Sequence, residues 1–140
     1  MNCIIYNNTN DCVTILNPGV GYTIEWVLEN DFAKMPDSTG ATPYVVDQNS
    51  LPWANEDFYD AWKIVDSVVT VRIDKAKEIT KNRLRKEREP LLTAQDVAFQ
   101  RALETGADIT AIVAEKQRLR DITNLTDLCS TLDELRSLHC

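Results

Sequence analysis

From Ile73 to Leu138 the chain contains a single proline and a single glycine, and its apolar residues recur about every 3.6 positions. A segment of that length with that spacing has to fold as helices, because a strand would need alternation with period two. Ile73, Ala76, Ile79 and Leu84 define one face of a first helix, and Leu91, Leu92, Ala98, Phe99, Ala102 and Leu103 carry the stripe past Pro90. Pro90 fits either the first turn of a new helix or a kink in one long helix. The stripe resumes without a loop, which favours the kink. Thr105-Gly106 then provides a stop, with Gly106 suited to a left-handed position after the last turn. Asp108 is the expected N-cap of the next helix, whose apolar face is Ile109, Ile112, Val113, Leu119 and Ile122. So short a link makes the two helices antiparallel. Thr131-Leu132-Asp133-Glu134 reads as a capping box that opens a last short helix ending near Leu138.

The first half has a different texture. Cys3-Ile4-Ile5-Tyr6 and Val13-Thr14-Ile15-Leu16 are β-prone runs around the turn formers Asn7 to Asp11, which predicts a hairpin ended by Asn17-Pro18-Gly19. Ile24, Val27 and Leu28 have helical spacing, so a short helix is expected from Thr23 or Tyr22 to Asn30. Tyr44–Asp47 is a third strand candidate behind Pro43, and an irregular stretch from Leu51 leads to Phe58, Ala61 and Trp62. The segments 62–66 and 68–71 are the last strand candidates, with Asp66-Ser67 as the break between them. The expected fold class is α+β. A small acidic α/β head with an N-terminal β-hairpin spans 1–71, and an antiparallel α-helical hairpin with a short terminal helix spans 72–140.

Charge divides along the same line. Residues 1–70 hold ten acidic and two basic side chains, against twelve and thirteen in 71–140, which together give the net charge of −7. That balance argues against broad nucleic-acid binding, since such affinity comes mainly from neutralising phosphates. Cys3, Cys12, Cys129 and Cys140 form no CxxC pair, and the N-terminus lacks the basic and apolar regions of a secretory signal. Free thiols in a reducing compartment are expected, with a Cys3–Cys12 bridge as the minor alternative. No apolar run reaches the length of a membrane span.

A search for chemistry finds little. His139 is the sole histidine and stands next to the last residue, where a positioned base is hard to hold. With four glycines there is neither GxGxxG nor GxxxxGK[ST]. Asp57 with Asp60, or Glu29 with Asp31, could be drawn as acid/base pairs, but no motif surrounds them and solvated carboxylates account for them more simply. Trp53, Phe58, Tyr59 and Trp62 read first as core and second as a binding platform. The expectation is no enzyme, no cofactor and no metal.

One charged feature has shape. Arg72, Lys75, Lys77, Lys81, Arg83, Arg85, Lys86 and Arg88 are read into one helix, interrupted by Asp74, Glu78 and Glu87. A solvated face with i,i+4 pairs weighs most, docking to an acidic partner or to the acidic head of another copy comes next, and nucleic acid comes last. The residues chosen as partner contacts are Arg72, Lys75, Lys81, Arg83, Arg85 and Arg88, together with Trp53.

The order of these motifs resembles small tail-region proteins of tailed bacteriophages. The resemblance runs through Ile4-Ile5-Tyr6, Val13 to Pro18, Tyr44-Val45-Val46-Asp47, Leu51-Pro52 and Phe58…Ala61-Trp62. In the second half it runs through Asp74 to Ile79, Asn82 to Arg85, Arg88-Glu89-Pro90-Leu91-Leu92…Asp96, Arg101-Ala102, Lys116-Gln117…Leu119-Arg120-Asp121 and Leu132-Asp133-Glu134-Leu135. This portion is similar to the tail assembly chaperone and tail-fibre assembly group, except that Val97 stands where a tryptophan often follows the aspartate. The resemblance implies a protein made in the bacterial host cytoplasm that binds tail or tail-fibre subunits as part of the virion tail. It supplies no catalytic residue. Two alternatives stay open: a transient tail or tail-fibre assembly chaperone, and a small DNA-binding regulator. A homo-oligomer formed between copies of the chain is a further partner reading.

Overall fold

The computed structural model describes all residues, Met1–Cys140. It has an α+β fold, and the chain divides into two compact units, Met1–Arg72 and Ile73–Cys140.

In the first unit β1 (Asn2–Asn7) is the central strand of a three-stranded antiparallel sheet. It lies between β2 (Val13–Leu16) and β3 (Tyr44–Asp47), with Ile5 opposite both Ile15 and Tyr44. Its unbroken apolar run is explained by burial on both faces, as in strands with both sides covered. Cys3 and Ile5 pack with Val13, Leu51, Trp62 and Ile64, while Ile4 and Tyr6, pointing the other way, are also fully buried. On that second face the Tyr6 ring meets Phe32 edge-on at 5.0 Å, and its hydroxyl donates to Asp37 at 2.8 Å. Burial, helped by that carboxylate, pushes the Tyr6 phenol up to about 12. Two short 3-10 turns, Phe32–Lys34 and Pro36–Ser38, follow α1 (Ile24–Asn30) and carry these partners. The expected short helix is present, with Thr23 as its N-cap accepting from the Trp26 N–H.

β4 (Trp62–Val65) and β5 (Val68–Val71) form a separate two-stranded hairpin. Asp66 and Ser67 turn it, both with positive φ (50° and 66°), as a two-residue turn with matching twist demands. The Asn7 side chain ties this hairpin to the first sheet by imitating a strand. Its Nδ2 donates to the Ile64 carbonyl, and its Oδ1 accepts from the Ile64 N–H. What reads in sequence as an irregular stretch before β4 is a 3-10 segment, Trp53–Ala61, with non-helical backbone at Asn55 and Phe58. It brings Phe58, Ala61 and the ring of Tyr59 onto the core. All four cysteines are free, so the Cys3–Cys12 alternative is not realised.

The second unit is built on α2 (Ile73–Thr105), a 33-residue helix that runs through Pro90. Pro90 removes the N–H that would bond the Lys86 carbonyl. Both residues lie on the exposed side of the helix, where solvent can take the place of that bond, and the helix continues. The helix ends in a Schellman arrangement: Gly106 has φ 68°, its N–H donates to Leu103, and the Ala107 N–H donates to Ala102. α3 (Thr110–Asp121) returns antiparallel, with Lys116 beside Asp96 and the end of α3 beside Arg88. Asp108 accepts from the Thr110 N–H as expected of a cap, although the residue in the N-cap position is Ile109. A 3-10 segment, Ile122–Leu128, extends α3 along α2, and α4 (Leu132–Ser137) opens with the complete Thr131/Glu134 capping box.

The buried stripe of this unit is narrow. Ala76, Thr80, Leu84 and Ala102 of α2 face Leu119, Ile122, Thr126 and Leu135. Thr80 satisfies its hydroxyl by donating to the Ala76 carbonyl. Several residues expected on the inner faces are instead exposed. Ile73, Leu91 and Leu103 of α2 and Val113 of α3 lie at the edges of the stripe, because three packed segments cover only part of a long helix.

Candidate interaction surface

The cations that the sequence reads into one helix do three different jobs. Arg72 is the first correction: it lies outside the helix, at the end of β5, and is claimed by the head. Its guanidinium donates to the Asp11 carboxylate at 2.6 Å and to the Asp11 carbonyl at 2.9 Å, and Lys63 approaches the same carboxylate at 3.4 Å. Arg72 thus fixes the β1–β2 turn, where Asp11 sits at φ 58°.

The Arg72 and Lys63 hydrogen bonds, in that order, hold the Asp11 carboxyl below its usual range. A value lowered on folding contributes stability above the unfolded value and loses it as pH falls through the folded one. Asp11→Asn is therefore expected to lower the melting temperature at neutral pH and to flatten its decline below about pH 4. Thermal unfolding followed by near-ultraviolet circular dichroism across acidic pH checks this. An acid slope equal to that of the unaltered protein would contradict it.

The second group turns inward. A helix leaves its last carbonyls without N–H partners, and α2 supplies donors to each segment packed on it. Arg88 Nη1 donates to the carbonyls of Leu119 and Arg120 at the end of α3. Lys77 donates to the carbonyl of Asp127 near the end of the 3-10 segment, and Lys81 pairs with the Asp127 carboxylate at 2.9 Å. Arg83 donates to the carbonyls of Leu135 (3.1 Å) and Leu138 (2.7 Å) at the end of α4, and to Glu87 (2.7 Å). Cations suit such ends because the carbonyl dipoles converge there. The Asp127 hydrogen bond raises the Lys81 ammonium above its ordinary value. Burial pushes the Glu87 carboxyl upward, but Arg83 outweighs it and leaves the group below its usual range. His139 lies in the same cluster, its Nδ1 at 3.1 Å from Arg83. Lys81, Arg83 and Arg88 are therefore internal fasteners rather than an open basic stripe.

The third group faces outward. Lys75 and Lys86 are exposed and make no hydrogen bond or ion pair, and Arg85 donates only to Asn82 on its own helix, at 2.7 Å. Arg85 and Arg88 border a hollow of about 360 Å³ whose other walls are Glu89, Leu92, Thr93 and Asp96. A smaller hollow of about 220 Å³ lies on the α3 side, between Arg118, Asp121, Ile122 and Leu125. Leu125 and Leu128 are 41% and 80% exposed, so this flank offers apolar surface beside charge.

Trp53 belongs to the head. It is 39% exposed, its indole N–H donates to the Gln48 carbonyl at 2.8 Å, and its ring meets Trp62 at 5.6 Å. Phe58 and Trp62 are buried as core, while Trp53 keeps one side to solvent. Glu29, Asp31, Asp57 and Asp60 are exposed. Nowhere do three or more His, Cys, Asp or Glu side chains converge as metal ligands would, and no helix is long and apolar enough to cross a membrane.

The sequence reading missed the fasteners. Their signal was available on the helical wheel: Lys77, Lys81 and Arg88 lie along one margin of the Ala76–Thr80–Leu84 stripe, and Arg83 along the other. At such margins long side chains run along the packed surface and deliver their charge to the neighbouring element. Comparison with protein-family models, curated proteins and solved structures finds no match to this chain.

Proposed function

We propose that this protein is a non-catalytic interaction protein of tailed-phage tail assembly, which binds tail or tail-fibre subunits and stays in the virion tail. One observation carries the interaction reading. The 33-residue α2 is covered by its own unit along one narrow stripe, and its outward side keeps unpartnered Lys75 and Lys86, Arg85 and the adjoining hollow. A partner helix with acidic and apolar residues would fit that side by the helix-in-groove mode. The order of sequence motifs supplies the tail context.

Co-purification from infected cells, with the partners identified by mass spectrometry, tests the reading. Recovery of tail or tail-fibre subunits supports it, and recovery of none removes it. Mass spectrometry of purified virions then separates the two assembly roles. The proposal expects the protein in the particle, whereas its absence there would leave a transient chaperone.

A further inference from the structure

The first 33 residues contain no lysine or arginine. In the head the other cations are Lys34, Lys63 and Arg72, and the last two are engaged at Asp11. Against this background α1 and the turn before it expose an aromatic pair. Tyr22 and Trp26 are stacked with ring centroids 4.3 Å apart and planes inclined by 37°. They remain 53% and 40% exposed, and Val20 beside them is fully exposed. The helix turns only Val27 fully inward, so the rings are not needed for its core contact. Glu29 follows Trp26 by three residues within the helix, which places its carboxylate on the side of the rings, and Glu25 stands in the first turn next to Trp26, its carboxylate held by Thr23 and its own backbone N–H. Both are exposed, and neither forms an ion pair.

We propose that Tyr22, Trp26, Glu25 and Glu29 form a receptor for an arginine or lysine side chain presented by a basic segment of a partner protein. A cation over an indole or phenol ring is attracted by the ring's quadrupole, and a guanidinium can also stack there while its N–H groups reach a carboxylate. The exposed valine gives the neighbouring residue of such a segment an apolar contact. Charge complementarity selects the occupant: the head is acidic, so an anionic ligand or membrane surface is repelled. A second copy carries the same net −7 and is disfavoured for the same reason. This surface is distinct from the outward side of α2, and the inference stands whatever that side binds.

The test titrates the intact protein with a short synthetic peptide alternating arginine and leucine, followed by isothermal titration calorimetry. The same peptide with glutamate in place of arginine serves as control. The expected result is binding of the arginine peptide only, weakened by salt. Trp26→Ala should reduce the affinity about tenfold, and so should the double variant Glu25→Gln/Glu29→Gln, which keeps the rings. Circular dichroism of both variants should match that of the unaltered protein, because all three side chains are exposed. Undetectable binding of the arginine peptide would overturn the inference, as would equal binding of the glutamate peptide. Unchanged affinity in the double variant would also overturn it, by showing that the acidic head attracts cations without a defined site. Sedimentation of the protein alone covers the remaining occupant: self-association abolished by Trp26→Ala would assign the surface to a second copy instead.

Discussion

Replacing Trp62 with alanine is expected to unfold the N-terminal unit. Trp62 is fully buried, its indole N–H donates to the Asn55 carbonyl at 3.1 Å, and it joins Tyr59 and Trp53 to the core around Ile5 and Ile64. A buried tryptophan truncated to alanine costs about 3–5 kcal/mol through lost transfer energy and the cavity left behind. Small domains have only about 5–15 kcal/mol in total, and a unit of this size stands near the lower limit. The loss therefore approaches the whole stability of the head. Urea unfolding followed in the near-ultraviolet should show the aromatic signal weakened or gone at low denaturant. The far-ultraviolet helix signal should persist, since α2, α3 and α4 have their own buried stripe. An unchanged aromatic midpoint would show that Trp62 is not central to that core.

The second large effect is expected at Arg83. Its guanidinium reaches Glu87 and the carbonyls of Leu135 and Leu138, so Arg83→Ala removes three charge-assisted contacts together. Hydrogen bonds to charged groups are worth about 1.5–3 kcal/mol each, but the contacts share one side chain and the site is partly exposed. A loss of about 2–3 kcal/mol is a reasonable scale, confined mainly to α4. Native-state hydrogen exchange should show the amides of Leu135 and Leu138 losing protection while the middle of α2 keeps it. Arg85→Ala, which removes only a bond to Asn82, should leave all of these rates within error. Equal effects from the two substitutions would refute the division of α2 into inward and outward cations.

Much of the fold was legible because its signals are local. The turn cluster from Asn7 to Asp11, the Thr23 cap, the Gly106 stop and the Thr131/Glu134 box each act within a few residues of themselves. The continuity of α2 through Pro90 followed from the apolar stripe resuming without a loop. The 3-10 pieces at 32–38, 48–50, 53–61 and 122–128 were not legible, because so short a turn has no periodic signature. Their position depends on distant partners, such as Asp37 accepting from Tyr6 and Tyr59 donating to the Val13 carbonyl.

The candidate interaction surface was legible in part. Composition announced a basic helix, and Lys75, Arg85 and Lys86 do face outward from it. Composition could not say that Arg83 and Arg88 would meet the ends of α4 and α3, since that depends on which carbonyls the hairpin brings opposite them. The Tyr22–Trp26 pair escaped for a related reason. Trp26 and Tyr22 stand in and just before a short helix whose Val27 is core, and spacing alone does not tell an exposed aromatic pair from a buried one; only their exposure in the fold does.

The most direct test of the account is affinity co-purification from phage-infected cells, comparing the unaltered protein with the triple variant Lys75→Ala/Arg85→Ala/Lys86→Ala. The outward side of α2 is proposed to bind tail or tail-fibre subunits, so the unaltered protein should recover them. The variant should recover about tenfold less, a change of about 1.4 kcal/mol, with an unchanged circular dichroism spectrum. Equal recovery by a folded variant, or no tail or fibre subunit with the unaltered protein, would contradict the account.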